Sequence, residues 1–156
     1  MGRRKLSDPL VWSNMLLTLV GYIYLVKGWI LQAVLIILAS VASYSYHRNS
    51  ENKTILIFDK SASIAALLVT LPILIWYCDK TTKIIVVICT IIAFQQFFQA
   101  GHYDTCDHRY DIPHLGWHLG VTIGQAIVAI NCTGKIKNYH LFIVFVFVFC
   151  IDDSYF

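Results

Sequence analysis

Of 156 residues, 58% are hydrophobic and 13% are charged, against about 25% charged in an ordinary soluble domain. The chain therefore lacks the polar surface that a water-soluble fold of this size needs. The net charge of +3 is small, and no basic run is long enough to bind nucleic acid, which excludes that partner class. The five cysteines (Cys78, Cys89, Cys106, Cys132 and Cys150) form no CxxC pattern, and nothing in their spacing implies a disulfide scaffold. No internal repeat or low-complexity linker divides the chain, so residues 1–156 read as one transmembrane domain.

The apolar residues are gathered into runs. Leu10–Val26, Trp29–Tyr46, Ser61–Cys78, Ile84–Phe98 and His114–Ile130 contain no Lys, Arg, Asp or Glu. A helix needs about 17–25 residues to cross the hydrocarbon core, and with their flanks these runs predict spans near 10–26, 29–46, 61–78, 82–100 and 113–131. The first run follows a basic start at Arg3, Arg4 and Lys5. It lacks a small-x-small cleavage site and turns straight into the next span at Lys27-Gly28, so it reads as a retained helix and not as a signal peptide. Phe94-Gln-Gln-Phe-Phe98 reads as an interfacial aromatic belt. Residues 139–151 form a shorter apolar run, which is open to reading as a sixth span, an interfacial segment or a degenerate tail. The predicted fold class is all-α, a polytopic bundle of five to six helices.

Short loops make the topology a simple alternation. The N-terminus and the loops near 47–60 and 101–113 share one side, which holds Arg3, Arg4, Lys5, Arg48, Lys53, Lys60 and Arg109. The other side holds Lys27, Lys80, Lys83, Lys135 and Lys137. Seven against five, with all four arginines among the seven, favours a cytoplasmic N-terminus. The sequons at Asn52-Lys-Thr54 and Asn131-Cys-Thr133 fall on opposite sides, so both cannot be glycosylated.

Ionisable residues in membrane helices are expensive and mark function by default. The second helix ends Ser43-Tyr-Ser-Tyr-His47, with Ser43 and His47 at i and i+4. Asp59 opens the third helix. The fifth begins Asp111-Ile-Pro-His114-Leu-Gly-Trp-His118, with Pro113 in its first turn, Asp111 as N-cap and two imidazoles one turn apart on one face. Alternation brings His47, Asp59, His114 and His118 to similar depth at one side of the membrane. Three imidazoles and a water make a zinc site with one open position, with Asp59 and Ser43 placed to orient that water or a ligand. Gly116, Gly120 and Gly124 repeat every fourth residue, about 200° round from the histidines, as a close-packing face opposite a polar stripe of His114, His118, Thr122 and Gln125.

Each residue alone has a plainer explanation. Histidines are ordinary at helix ends, Ser43 suits helix packing, and Asp59 suits the positive end of a helix dipole. It is the joint, one-sided pattern that points to a metal. The segment Gly101–Asp111, dense in His, Cys and Asp, is a rival metal site, more simply read as a solvated loop.

Ser-x3-His, then Asp, then His-x3-His in successive membrane helices resembles the superfamily of membrane hydrolases that includes alkaline ceramidases, adiponectin receptors and Per1-like proteins, often called CREST. Here the pattern is Ser43…His47, Asp59 and His114-Leu-Gly-Trp-His118, and the likeness covers residues 40–125. The family usually has seven helices with the His pair on the last; here the pair sits on the fifth. The resemblance implies a zinc-dependent hydrolase of a lipid amide or ester, ceramide-like by analogy. His47, His114 and His118 would hold zinc, Asp59 would take or orient the water's proton, and Ser43 would stabilise the oxyanion. The alternative is a non-enzymatic multi-pass protein, receptor-like or structural, with a structural metal or none. A channel or proton path is disfavoured, because the ionisable residues gather at one end instead of lining both halves of the bilayer.

Overall fold

The computed structural model describes residues 8–48, 52–103 and 107–133. The segment 139–151 and the N-terminal basic residues lie outside them. The described residues form five helices and no strand: α1 (Pro9–Val26), α2 (Ile30–Arg48), α3 (Lys53–Tyr77), α4 (Lys80–Ala100) and α5 (His108–Asn131). The first four are long and apolar enough to cross a membrane, and the chain is an integral membrane protein.

Local chemistry sets the helix ends. The Asp8 carboxylate accepts from the Leu10 amide at 2.9 Å, and Pro9 occupies the first helical position, where its missing N–H is no loss. At the far end, Gly28 has φ +78°, a conformation that a Cβ would strain. It lets the Trp29 amide turn back to the Tyr24 carbonyl at 2.9 Å, so α1 reverses into α2 within three residues. Between α3 and α4 only Cys78 and Asp79 intervene, and Asp79 caps α4 through the Thr82 amide at 2.9 Å.

Two starts differ from the sequence reading. α3 begins at Lys53 and not near residue 61, because Asn52 caps it by accepting from the Ile55 amide at 3.2 Å. Asp59 therefore lies in the second turn of α3, where the sequence reading had it open the helix. α5 begins at His108 and not at 113, capped by Asp107, which accepts from the Arg109 amide at 2.9 Å. Asp111 is then a first-turn acid and not the cap, and Pro113 stands inside the helix.

Laterally the order is α4, α5, α1, α2, α3, with α3 also touching α5 lightly. Although a two-residue turn joins them, α3 and α4 share no packing face: α3 lies on α2 and α4 on α5. Lipid tails are as apolar as leucine, so association rests on close packing and interhelical hydrogen bonds. Ala33, Ile36, Ala66, Val69, Ile73, Val128 and Ala129 form a core in the half of the bundle remote from the histidines. Leu19, Val26, Ile64, Ile91 and Phe98 point outward, where lipid would meet them.

α5 falls outside the apolar set because it is the polar centre of the bundle. Its face carrying His114, His118, Thr122 and Gln125 is buried. Below the histidines, Gln125 ties four helices together. Its Oε1 accepts from the Tyr24 hydroxyl (2.9 Å) and its Nε2 donates to Thr70 Oγ1 (2.9 Å), which also accepts from Gln32 Nε2 (2.6 Å). The opposite face carries the glycines: a Cβ on Gly120 would stand 2.8 Å from Ala93 Cβ, and one on Gly116 3.0 Å from Gln96 Oε1. α4 thus approaches α5 on the side away from the polar stripe.

The structure adds a bond that the cysteine spacing does not signal. Cys78 and Cys132 form a disulfide across 54 residues, with Cα atoms 4.4 Å apart. It joins the ends of α3 and α5. Beside it the Thr133 amide donates to the Tyr77 carbonyl at 3.2 Å, and Lys27 Nζ donates to the carbonyls of Ile130 (2.5 Å) and Cys132 (3.3 Å). The last carbonyls of α5, which the helix itself leaves open, are met in this way.

Candidate metal centre

His47 comes from the last turn of α2, and His114 and His118 from successive turns of α5. α1 separates these two helices in the lateral order, yet the bundle curves enough for the three rings to converge. His47 Nε2 lies 3.2 Å from His118 Nε2 and 3.3 Å from His114 Nε2. One ring nitrogen from each residue falls within 4.8 Å of the others. The rings are tilted, 69° between His47 and His114, 57° between His47 and His118, and 58° between His114 and His118. Edges, not faces, meet at the centre. All three are buried, at 3% exposure for His47 and 9% for the other two.

The donor set fits a metal. Ligands at about 2.0–2.1 Å from a tetrahedral zinc stand about 3.3–3.4 Å apart, close to the two separations observed. Hydrogen bonding among the rings alone serves less well. A ring nitrogen presents one in-plane proton or one lone pair, so Nε2 of His47 would have to divide it between two neighbours. A cation at the focus would use one lone pair from each ring. Buried polar atoms are rarely left half-satisfied, and three converging imidazole nitrogens make this arrangement a candidate centre and not a chance contact.

The surrounding side chains fix the rings. Tyr110, one turn before His114, stacks on it at 4.5 Å between centroids and 21° between planes. Tyr46 lies against His47 at 5.4 Å. Trp117 points the other way, into Phe94 and Phe97 of α4 at 5.5 and 5.1 Å, and anchors the turn that bears both α5 ligands.

Asp59 is not among the converging ligands; its carboxylate lies near the Ser43 hydroxyl. Ser43 is one turn before His47 on α2, which brings Asp59 of α3 close to the helix carrying the first imidazole. Asp59 is only partly buried, whereas Ser43 is buried. The five residues singled out in the sequence thus form two groups, a tight imidazole triad and a hydroxyl–carboxylate pair. Of the rival segment 101–111, residues 104–106 lie outside the described residues, and Arg109 pairs with Asp107 at 2.7 Å.

Tyr24, Gln32 and Thr70 went unrecognised as partners in the sequence. Their one signal was depth: each lies within about three turns of a helix end on the disulfide side, level with Gln125. Set against protein-family models, curated proteins and solved structures, the chain matches none of them.

Proposed function

We propose that the chain is a zinc-dependent intramembrane hydrolase acting on a lipid amide or ester, with ceramide-like molecules as the first substrates to test. The observation that carries this reading is the convergence of His118 Nε2 and His114 Nε2 on His47 Nε2, at 3.2 and 3.3 Å, with Asp59 on α3 not itself among the ligands. Zinc bound there supplies Lewis acidity toward a carbonyl and toward water. Three protein ligands leave one tetrahedral position for water or substrate, as in catalytic sites and unlike the closed four-ligand structural ones.

The rest of the chemistry belongs to the chain. Asp59 is the proton acceptor for the attacking water and returns that proton to the leaving group. Ser43, by donating to Asp59, keeps the carboxylate aimed. For Ser43 to stabilise an oxyanion as well, its hydroxyl must leave Asp59 when that carboxylate is protonated. The packing that buries the three imidazoles limits bulk water at the site, which strengthens each of these interactions. The arginine bias of the histidine end supports a cytosolic N-terminus.

A second reading rests on the burial of the imidazoles, 3–9% exposed: a metal that staples α2 to α5 without turnover. The experiment that separates them uses purified wild-type protein and Asp59→Asn with equal metal content, incubated with a fluorescent ceramide and a matched lipid ester. Hydrolysis by wild type that falls about 10²–10⁴-fold in Asp59→Asn, the usual worth of a general base, supports the enzyme. Zinc-loaded wild type that cleaves neither substrate faster than its Asp59→Asn variant supports the staple.

A further inference from the structure

We infer that the two ends of this bundle face compartments of opposite redox character, so that the histidine centre is loaded and served from the cytosolic leaflet while the Cys78–Cys132 end stands in an oxidising space. This deepens the hydrolase reading by naming the leaflet from which its lipid comes, and it rests on that reading only for the word substrate.

The two features lie at opposite ends of the same helices. On α5, His118 and Cys132 are fourteen residues apart, about 21 Å along a helix. On α3, Asp59 and Cys78 are nineteen apart, about 28 Å. Lys27, Trp29, Tyr77, Cys78 and Cys132 gather at one end of the bundle, and His47, Tyr110 and His114 at the other.

Disulfides form and persist in oxidising compartments, and cytosolic thiols are held reduced. Cys78 is 7% exposed and Cys132 is fully buried, so the bond must close as the helices pack, on the side where oxidant reaches the folding chain. Charge supports the same orientation independently. Among the described residues the histidine end holds Arg48, Lys53, Lys60 and Arg109, both described arginines among them, against Lys27, Lys80 and Lys83 at the other end, as expected for the side that is not translocated.

Two consequences follow for the centre. Its metal comes from the cytosolic pool, and the ligand that reaches Asp59 and the three histidines is an amphiphile with its polar group in the cytosolic leaflet. The disulfide closes by loss of two electrons and two protons from the Cys78 and Cys132 thiols to a disulfide-exchange oxidant of the lumen. The staple also reinforces the light packing and the Gln125–Thr70 bond between α3 and α5, so the helix bearing Asp59 is fixed covalently to the helix bearing two ligands.

The test uses the full-length chain in sealed microsomes, cytosolic face outward, with a membrane-impermeant amine-reactive ester followed by peptide mass spectrometry. Lys53 and Lys80, both exposed, report the two ends. Labelling of Lys53 with protection of Lys80 until detergent is added is the expected result. Labelling of Lys80 or protection of Lys53 in sealed vesicles overturns it. In parallel, acid-quenched, denatured protein is alkylated before reduction. Wild type and Cys78→Ser/Cys132→Ser should then carry equal numbers of labels, whereas two more in wild type means free thiols and refutes the oxidising end. Neither readout depends on metal or turnover, so the orientation can fail while the hydrolase stands, and the reverse.

Discussion

The close packing of α4 on α5 decides which glycines of α5 tolerate an added methyl group. A Cβ added to Gly120 would meet Ala93 Cβ at 2.8 Å and the Ala93 Cα at 3.2 Å, while one added to Gly124 finds Cys89 Cβ at 3.8 Å and nothing nearer. Gly120→Ala must therefore move backbone, because the atoms in the way belong to Ala93 and not to the tip of a flexible side chain. Both substitutions gain the same helix-propensity term, about 1 kcal/mol. Their difference isolates the cost of overpacking, about 1–3 kcal/mol. Reversible unfolding in mixed detergent, followed by helical circular dichroism, should rank Gly124→Ala at or above wild type and Gly120→Ala below it by that difference. Adding Ala93→Gly to Gly120→Ala should recover most of the loss. Equal stability of the two glycine variants, or no recovery in the double variant, would refute the close approach of α4 to the glycine face.

Removal of the Cys78–Cys132 bond by Cys78→Ser/Cys132→Ser should destabilise the bundle by up to about 4 kcal/mol for a loop of this length. The loss will be smaller where the denatured state keeps its membrane helices, and the same unfolding assay reads it. Gln125→Leu removes the partner shared by Tyr24 and Thr70, and should cost about 1–2 kcal/mol, the upper range for interhelical hydrogen bonds in membranes. Tyr24→Phe, which removes one bond of that net, should cost less. Asp59→Asn should leave metal content unchanged, since Asp59 is not among the converging ligands, while Ser43→Ala should retain metal and lower turnover less than Asp59→Asn does.

Much of the architecture was legible because the membrane imposes it. Charge-free runs of spanning length give helices almost without regard to propensity, and short loops force alternation. Alternation placed His47, His114 and His118 at one depth, and the structure adds that their rings converge. Lateral order was not legible. Nothing in the chain says that α5 would sit between α4 and α1 with its polar face turned inward, or that Gln125 would meet Tyr24, Gln32 and Thr70.

The helix starts were misplaced where two caps competed. Asp107 and Asp111 are both good N-caps, and only the structure shows the amide that Asp107 receives. Asn52 is obscured as a cap because Lys53 and Lys60 break the apolar run, although a helix can carry both into the interface. The disulfide was within reach. Alternation already put the ends of the third and fifth helices on one side, with Cys78 and Cys132 at those ends; the adjacency of α3 and α5 was the missing step.

Three histidines from two helices converge as the ligand set for one metal ion, proposed above to be zinc. Elemental analysis of the detergent-purified chain, beside His114→Ala/His118→Ala prepared identically, tests it most directly. Wild type should carry about one zinc per chain, as a single three-ligand centre holds one ion, and the variant should lose it. Wild-type protein that carries no metal after zinc is supplied and excess removed, or a variant that keeps its zinc, would contradict it.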